Sequence, residues 1–486
     1  MLEFIYILFL LSGFIKSFLL AFNIPTFIDF TLLCAITAIV VIFFSKRLKF
    51  EQNNLFIKLI PIFFFCWMLF SLFYSLSPNY SIIKTFLFST NLIAVALPFL
   101  TKSFDIQKTL KYFVLVICGL SVSYYLFNAD IQLKLIQSNI INYDQLEGFG
   151  LSLGELIGCA IFILFFYKIN NRVLFLSFFI WTIFSTGARG PILFLFGGLF
   201  FLGILFLYQS ITKKTSFVYN RFVELGKEIA QAKYQLIFPN LLLIILLITS
   251  PRVNQMYYRT FWRLGLLSEY ENNNVEVEAD FNEDKINEKI NEGFKKNAAS
   301  KSTKSIKSNK EIGFISELTN ILGSHKKSIG INKSMIEAEL LEESKLPLDT
   351  NRSVSVRVKH FKFSKKAITA SAKHLVFGYG IGSYGIIKTG IDGRNFPHNI
   401  FLETWVELGL IGIIILSAIL FFCFNKLNNL NAGVYFALLF LLLNLMKSSS
   451  LVDMRIFWGL WATKILLDIN TSQNKIEEYS VKANIV

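Results

Sequence analysis

Three short stretches carry the residue types from which a reaction site could be built. The first is FPHNIFLETWVELGLIG, residues 396–412. His398 lies just ahead of a long apolar run, and an imidazole at such a boundary can give or take a proton near neutrality. Taken alone, a histidine there equally suits a structural role at an interface. Asn399 follows at the position of a helix N-cap. Glu403 and Glu407 fall one turn apart on one helix face, and carboxylates inside an apolar run ordinarily face a protein interior or an aqueous cavity. The second stretch is STGARGPI, residues 185–192, which places Arg189 in a short hairpin between two apolar runs. A guanidinium grips phosphate through two parallel hydrogen bonds, although a lone one in such a hairpin also suits a lipid headgroup. Arg352 and Arg357 are further guanidiniums, and they precede the third stretch, GYGIGSYG, residues 378–385.

Gly380, Gly382 and Gly385 satisfy G-x-G-x-x-G, and Glu403 lies 18 residues beyond the last of them. A dinucleotide site needs a strand before the first glycine and a long helix after it. Here a helical pattern precedes the glycines, and Gly390, Gly393 and Pro397 interrupt the segment on their C-terminal side. The spacing is therefore read as a turn that uses glycine for positive φ and close backbone packing. No nucleotide is expected there.

The elements that position these residues are apolar. Of 486 residues, 54% are hydrophobic and only 17% charged, against roughly 25% charged in soluble domains. This composition excludes a set of soluble domains and predicts an all-α, polytopic membrane protein. A span needs about 20 apolar residues, and twelve runs qualify: 3–22, 28–45, 55–76, 82–100, 109–127, 151–168, 172–187, 190–208, 236–250, 399–424, 432–447 and 455–469. The first run carries Glu3 and lacks a basic lead and a small-residue cleavage site, so it is expected to be a retained helix. The 53 Phe are expected mainly as lipid-facing bulk. The five Cys all fall inside apolar runs without metal-ligand spacing, which predicts neither a zinc site nor a disulfide framework.

Net charge is +15, but its distribution points to topology. The short loops after even-numbered runs hold 14 Lys/Arg, whereas those after odd-numbered runs hold Lys134 and Arg189. Basic loops stay in the cytoplasm. Both termini, the tail at 470–486 and a short amphipathic helix at 221–233 are therefore expected inside, and no nucleic-acid partner is implied. The first nine runs occupy 1–250, and the last three occupy 399–469.

Between them, 251–398 is one large outer (periplasmic) loop. Residues 269–292 hold nine acids, and residues 293–311 hold six Lys among Ser and Asn. Such composition builds no core. About 265–348 is read as a flexible charged insertion, and its EVEAD (276–280) as solvated charge. Order returns at 353–377, where Val358, Phe361, Ile368, Ala372, Leu375 and Val376 predict an amphipathic helix on the outer membrane face. Gly378 supplies its stop.

On this topology His398, Arg189, Arg352 and Arg357 share the outer side. Arginines beside one histidine suit transfer from a diphosphate-linked lipid: cations hold the diphosphate and the leaving-group charge, and the imidazole takes a proton from the attacking hydroxyl. The chain holds no D-x-D, so no metal-held nucleotide sugar is expected.

STGARG, the run from SVSVR to LVFGYGIGSYG, and HNIFLETWVELGLIG, within a twelve-span layout, resemble the O-antigen ligase and polymerase family of bacterial membrane glycan transferases. The resemblance implies undecaprenyl-diphosphate-linked glycan donors and action on the outer face of the inner (cytoplasmic) membrane. It implies a metal-independent reaction with no cofactor. It further implies that His398 matches the family's essential histidine, that Arg189 and Arg357 match its functional arginines, and that Arg352 is a further match. Asn399, Glu403 and Glu407 are expected to serve substrate binding. The expected function is a polysaccharide ligase acting on a lipid A-core or other glycan acceptor. A polymerase of the same fold stays open, as does a lipid-linked glycan transporter, which would need ionisable groups along a path through several spans.

Overall fold

Each of the twelve apolar runs folds as an α-helix in the computed structural model. An apolar segment without outside partners satisfies its backbone only internally. The structure describes residues 1–21, 29–44, 55–101, 104–138, 143–211, 217–249 and 352–483. The first nine helices are α1 (Leu2–Ala21), α2 (Phe30–Phe44), α3 (Leu55–Ser71), α4 (Pro78–Leu100), α5 (Ile106–Ser138), α6 (Tyr143–Phe166), α7 (Arg172–Ser185), α8 (Arg189–Ile211) and α9 (Phe217–Thr249). Three shorter ones follow: α10 (Arg352–Ile368), α11 (Ala372–Phe377) and α12 (Ser383–Thr389). Last come α13 (Ile400–Phe424), α14 (Ala432–Ser448) and α15 (Arg455–Ala483). Among the described residues there is no β-strand.

Among the described residues, four helical segments are long and apolar enough to cross a membrane: Pro78–Leu100, Ile106–Tyr124, Arg189–Tyr208 and Ile400–Phe424. Five more are apolar but shorter, among them Gly150–Phe166 and Ala432–Lys447. The charged insertion at 265–348, with EVEAD, lies outside the described residues.

Helix α14 packs along α6, and α15 along α4, while α3 and α11 pack on α13. Aromatic rings fill the joints. Phe166 stacks on Phe436 at 5.4 Å and 4°, and Trp458 meets Phe64 and Phe88 at 6.4 and 6.0 Å. Phenylalanine thus serves both core and surface: Phe64 and Phe113 are buried, whereas Phe43, Phe73 and Phe200 are exposed. The cysteines are all free, and three of them are buried.

Several boundaries differ from expectation. The amphipathic stretch 221–233 is no separate helix but the first part of α9, which runs on past Pro239. Helix α15 continues through the expected tail to Ala483, because no Gly or Pro stops it after residue 470. The expected helix 353–377 is two, because Ser371 leaves the helix and accepts a hydrogen bond from His374 N as a new N-cap. The buried stripe of α10 is His360, Phe363, Ser364, Ala367 and Ile368, a spacing of 3, 4, 7 and 8. Val358, Phe361 and Leu375 face outward instead.

Candidate functional site

The site begins with a broken helix. At Gly409 the backbone of α13 takes φ 68, ψ −166, a region open essentially to glycine alone. The break releases the carbonyls of the preceding turn, which need other donors. Tyr379 N donates to Val406 O and Gly380 N to Glu407 O, both at 2.9 Å, while Trp67 Nε1 donates to Leu408 O at 3.0 Å. The GYGIGSYG loop thus completes the interrupted helix. Gly378, at φ 74, ψ −166, ends α11; a Cβ there would lie 2.5 Å from Glu407 O, and one at Gly380 would lie 2.3 Å from Ser75 Cα. Ile381 N donates to Ser71 Oγ at 3.1 Å, and Gly382 N points at the Glu407 carboxylate. The amide donors of Tyr379, Gly380 and Ile381 are thus spent inside the protein.

Glu403 and Glu407 are both fully buried and close on Lys84 of α4, itself fully buried. Lys84 Nζ donates to Glu403 and lies 2.8 and 2.7 Å from the two Glu407 oxygens. Glu403 also accepts from Ser450 Oγ at 2.7 Å and from Leu451 N at 2.9 Å. Both carboxylates are buried against protein donors, and the pair clamps α13 to α4 and to the 3₁₀ turn Leu451–Asp453. A buried charge survives only when paired and hydrogen-bonded, and this one is both.

Asn399 is the N-cap of α13, as its identity predicts. Its Oδ1 accepts from Phe401 N and Leu402 N at 3.0 and 3.1 Å, and its Nδ2 donates to Met446 O at 2.9 Å. With both ends engaged, it holds α13 against the end of α14 instead of standing ready for substrate. The loop leading to it is pinned as well. Asp392 accepts from Ser77 Oγ, from Asn79 N at 3.1 Å and from Tyr80 N at 3.2 Å, capping α4 from far along the chain. Arg394 bridges to both oxygens of Asp453 at 3.1 Å.

His398 emerges from this pinned loop with φ 55, a left-handed conformation uncommon for a non-glycine residue. Its ring lies 4.7 Å from that of Phe396 and 5.5 Å from that of His360, the latter pair near perpendicular at 87°. Sequence reasoning alone does not single out His360. Its imidazole is buried, with Nδ1 2.6 Å from Tyr384 Oη and Nε2 3.3 Å from Lys388 Nζ. Burial first, then the charges of Lys388 and His398, push His360 down to about 4. It is therefore neutral throughout the physiological range.

Arg189 opens α8 two residues after Gly187 (φ 70). Thr186 Oγ1 donates to Ile183 O at 2.7 Å and accepts from Ala188 N at 3.3 Å, so the hairpin is held rigidly. Arg189 itself is exposed. Lys447, at the end of α14, lies so close to Gly190 that a Cβ there would come within 2.2 Å of Nζ. Its ammonium is acted on by the charges of Arg357, Glu155 and Arg189. Lys447 thus lies against the Arg189 hairpin, with Arg357 and the Glu155 carboxyl within electrostatic reach of its ammonium, and the Asn399–Met446 bond ties His398 to the same end of α14. Arg352 opens α10, but its side chain lies outside the described residues. No group of three or more His, Cys, Asp or Glu with metal-binding geometry occurs among the described residues.

The site therefore offers a cationic cluster at a helix N-terminus, which suits an anion, and a ring-clamped imidazole near it. In comparison with known proteins, no family model, curated sequence or solved structure matches this chain.

Proposed function

We propose that this chain is a membrane-embedded glycan transferase of the polysaccharide-ligase type. Its donor is a glycan on undecaprenyl diphosphate, and its acceptor is a lipid A-core or related glycan hydroxyl. The reaction takes place at the periplasmic face of the bacterial inner membrane, with twelve spans supporting it. The observation that carries this reading is the Lys447 ammonium lying against the Arg189–Gly190 hairpin at the end of α14 that Asn399 ties to His398.

The Arg189 guanidinium at the α8 N-terminus and the Lys447 ammonium against the same hairpin complement a diphosphate, with Arg357 as a further cation. The acceptor oxygen attacks the anomeric carbon, whose bond to the diphosphate oxygen breaks. The leaving diphosphate keeps the electron pair under the cationic cluster, and His398 takes the acceptor's proton. Among the charged groups within the apolar helices, Lys84, Glu403 and Glu407 close on one another in a single cluster, which favours a surface reaction over passage.

In cells, His398→Ala at normal protein level is expected to abolish attachment of the surface polysaccharide and to leave undecaprenyl-linked polymer accumulating. Normal attachment in that variant would remove His398 from the chemistry. Loss of chain length with a single repeat still attached would favour a polymerase.

A further inference from the structure

We infer that His360 is a positioning residue for His398: a neutral imidazole, fixed in one tautomer by Tyr384 and Lys388, whose ring edge sets the orientation of the His398 ring. The bonds define that tautomer. The Lys388 ammonium has donors only, so Nε2 of His360, 3.3 Å away, accepts. Nδ1 therefore carries the hydrogen and donates to Tyr384 Oη at 2.6 Å. Tyr384 is fully buried and stacks beside the same imidazole at 5.8 Å and 18°. Phe363, one turn along α10, packs edge-on against Tyr384 at 5.8 Å and 88°. These contacts restrain the His360 ring where it meets His398, at 5.5 Å and 87°. Phe396 is a second ring against His398, at 4.7 Å. A proton-transferring ring must be held near its productive geometry by groups that are themselves locked, and a neutral wall does so without a competing charge.

The activity part of this inference rests on the proposed transfer reaction; the orientation part does not. The test uses the full chain in lipid nanodiscs as wild type, His360→Ala, His360→Asn, His398→Ala and the double variant His360→Ala/His398→Ala. Modification of each histidine by diethyl pyrocarbonate is followed by mass spectrometry. In His360→Ala the rate at His398 is expected to rise at least threefold; an unchanged rate overturns the inference whatever the reaction is. In transfer assays, His360→Ala is expected to lower kcat about tenfold with KM within twofold. It should cost nothing further in the His398→Ala background, where a merely structural residue would still cost activity. A full rate in His360→Ala beside a His398→Ala slowed to its residual rate overturns the inference and leaves the proposed function standing. Equal absence of transfer in wild type and His398→Ala overturns the proposed function, and the labelling rates then decide the inference. If His360→Ala fails to fold, His360→Asn keeps a donor toward Tyr384. It is expected to lose rate threefold and to gain His398 labelling; wild-type values for both overturn the proposal.

Discussion

At the scale of single residues, burial decides what each charged group can do. Glu403 and Glu407 read from sequence as groups turned toward substrate, yet both are sealed around Lys84. The sequence signal is sound as far as it reaches, since carboxylates in an apolar run do face a protein interior. What it does not show is the partner, because Lys84 lies 319 residues before Glu403. Lys84→Met is expected to destabilise the protein by about 3–5 kcal/mol, since it leaves two buried carboxylates without a counter-ion. Adding Glu403→Gln and Glu407→Gln should restore part of that loss, as read by thermal unfolding in nanodiscs. His360 makes a pH prediction. Its free value is near 6.5 and its folded value about 4, so between these limits the unfolded chain takes up a proton that the folded chain refuses. Its stabilising contribution is complete above pH 6.5 and is lost as pH falls toward 4. The groups facing this imidazole are Lys388, Tyr384 and His398. The unfolding temperature of wild type should therefore fall more steeply between pH 6.5 and 4.5 than that of His360→Asn, and equal slopes would contradict the assignment.

At the scale of elements, much is legible in the sequence. Apolar runs locate twelve helices, Gly378 marks a helix stop, and Asn399 marks a cap, because each of these depends on local chemistry. The break in α13 is not legible. ELGLIG sits inside a long apolar run, and Gly409 there looks like an ordinary helical glycine until the Gly378–Gly382 loop arrives to take the freed carbonyls. His360 is hidden for a different reason. The basic run RVKHFKFSKK masks the 360, 363, 364, 367, 368 stripe, which is the one signal that could have found it. Two glycines separate the effects of conformation and contact. Gly390, at φ 71, has nothing within 4 Å of an added Cβ, so Gly390→Ala should cost only about 1–2 kcal/mol. At Gly409 a Cβ would lie 2.2 Å from Val376 O, so Gly409→Ala should cost about 3–5 kcal/mol by unfolding measurements.

At the scale of the whole molecule, the described residues belong to one unit, Met1–Asn254 with Ile336–Val486. It holds charged clusters toward both ends of its helices. Arg172 pairs with Glu228 at 2.5 Å in the short turn between α6 and α7 and the first part of α9, and no other chemistry-bearing group in that cluster suggests a reaction. Arg189, Arg357, Lys447, His360 and His398 gather at the other end. The proposed topology puts that end outside. In a cysteine-free background, Ile391→Cys should react with an impermeant maleimide in intact spheroplasts, and Asn170→Cys only after lysis. The reverse pattern would place the site on the wrong side for the donor.

The central claim is transfer, and purified protein tests it most directly. Wild type in nanodiscs, given an undecaprenyl-diphosphate-linked glycan and a lipid A-core acceptor, is expected to form the glycosylated acceptor and release undecaprenyl diphosphate. His398→Ala and Arg189→Lys, both folded, should each slow this by at least about 100-fold. No product from wild type with any glycan acceptor, or equal rates in all three proteins, would contradict the account.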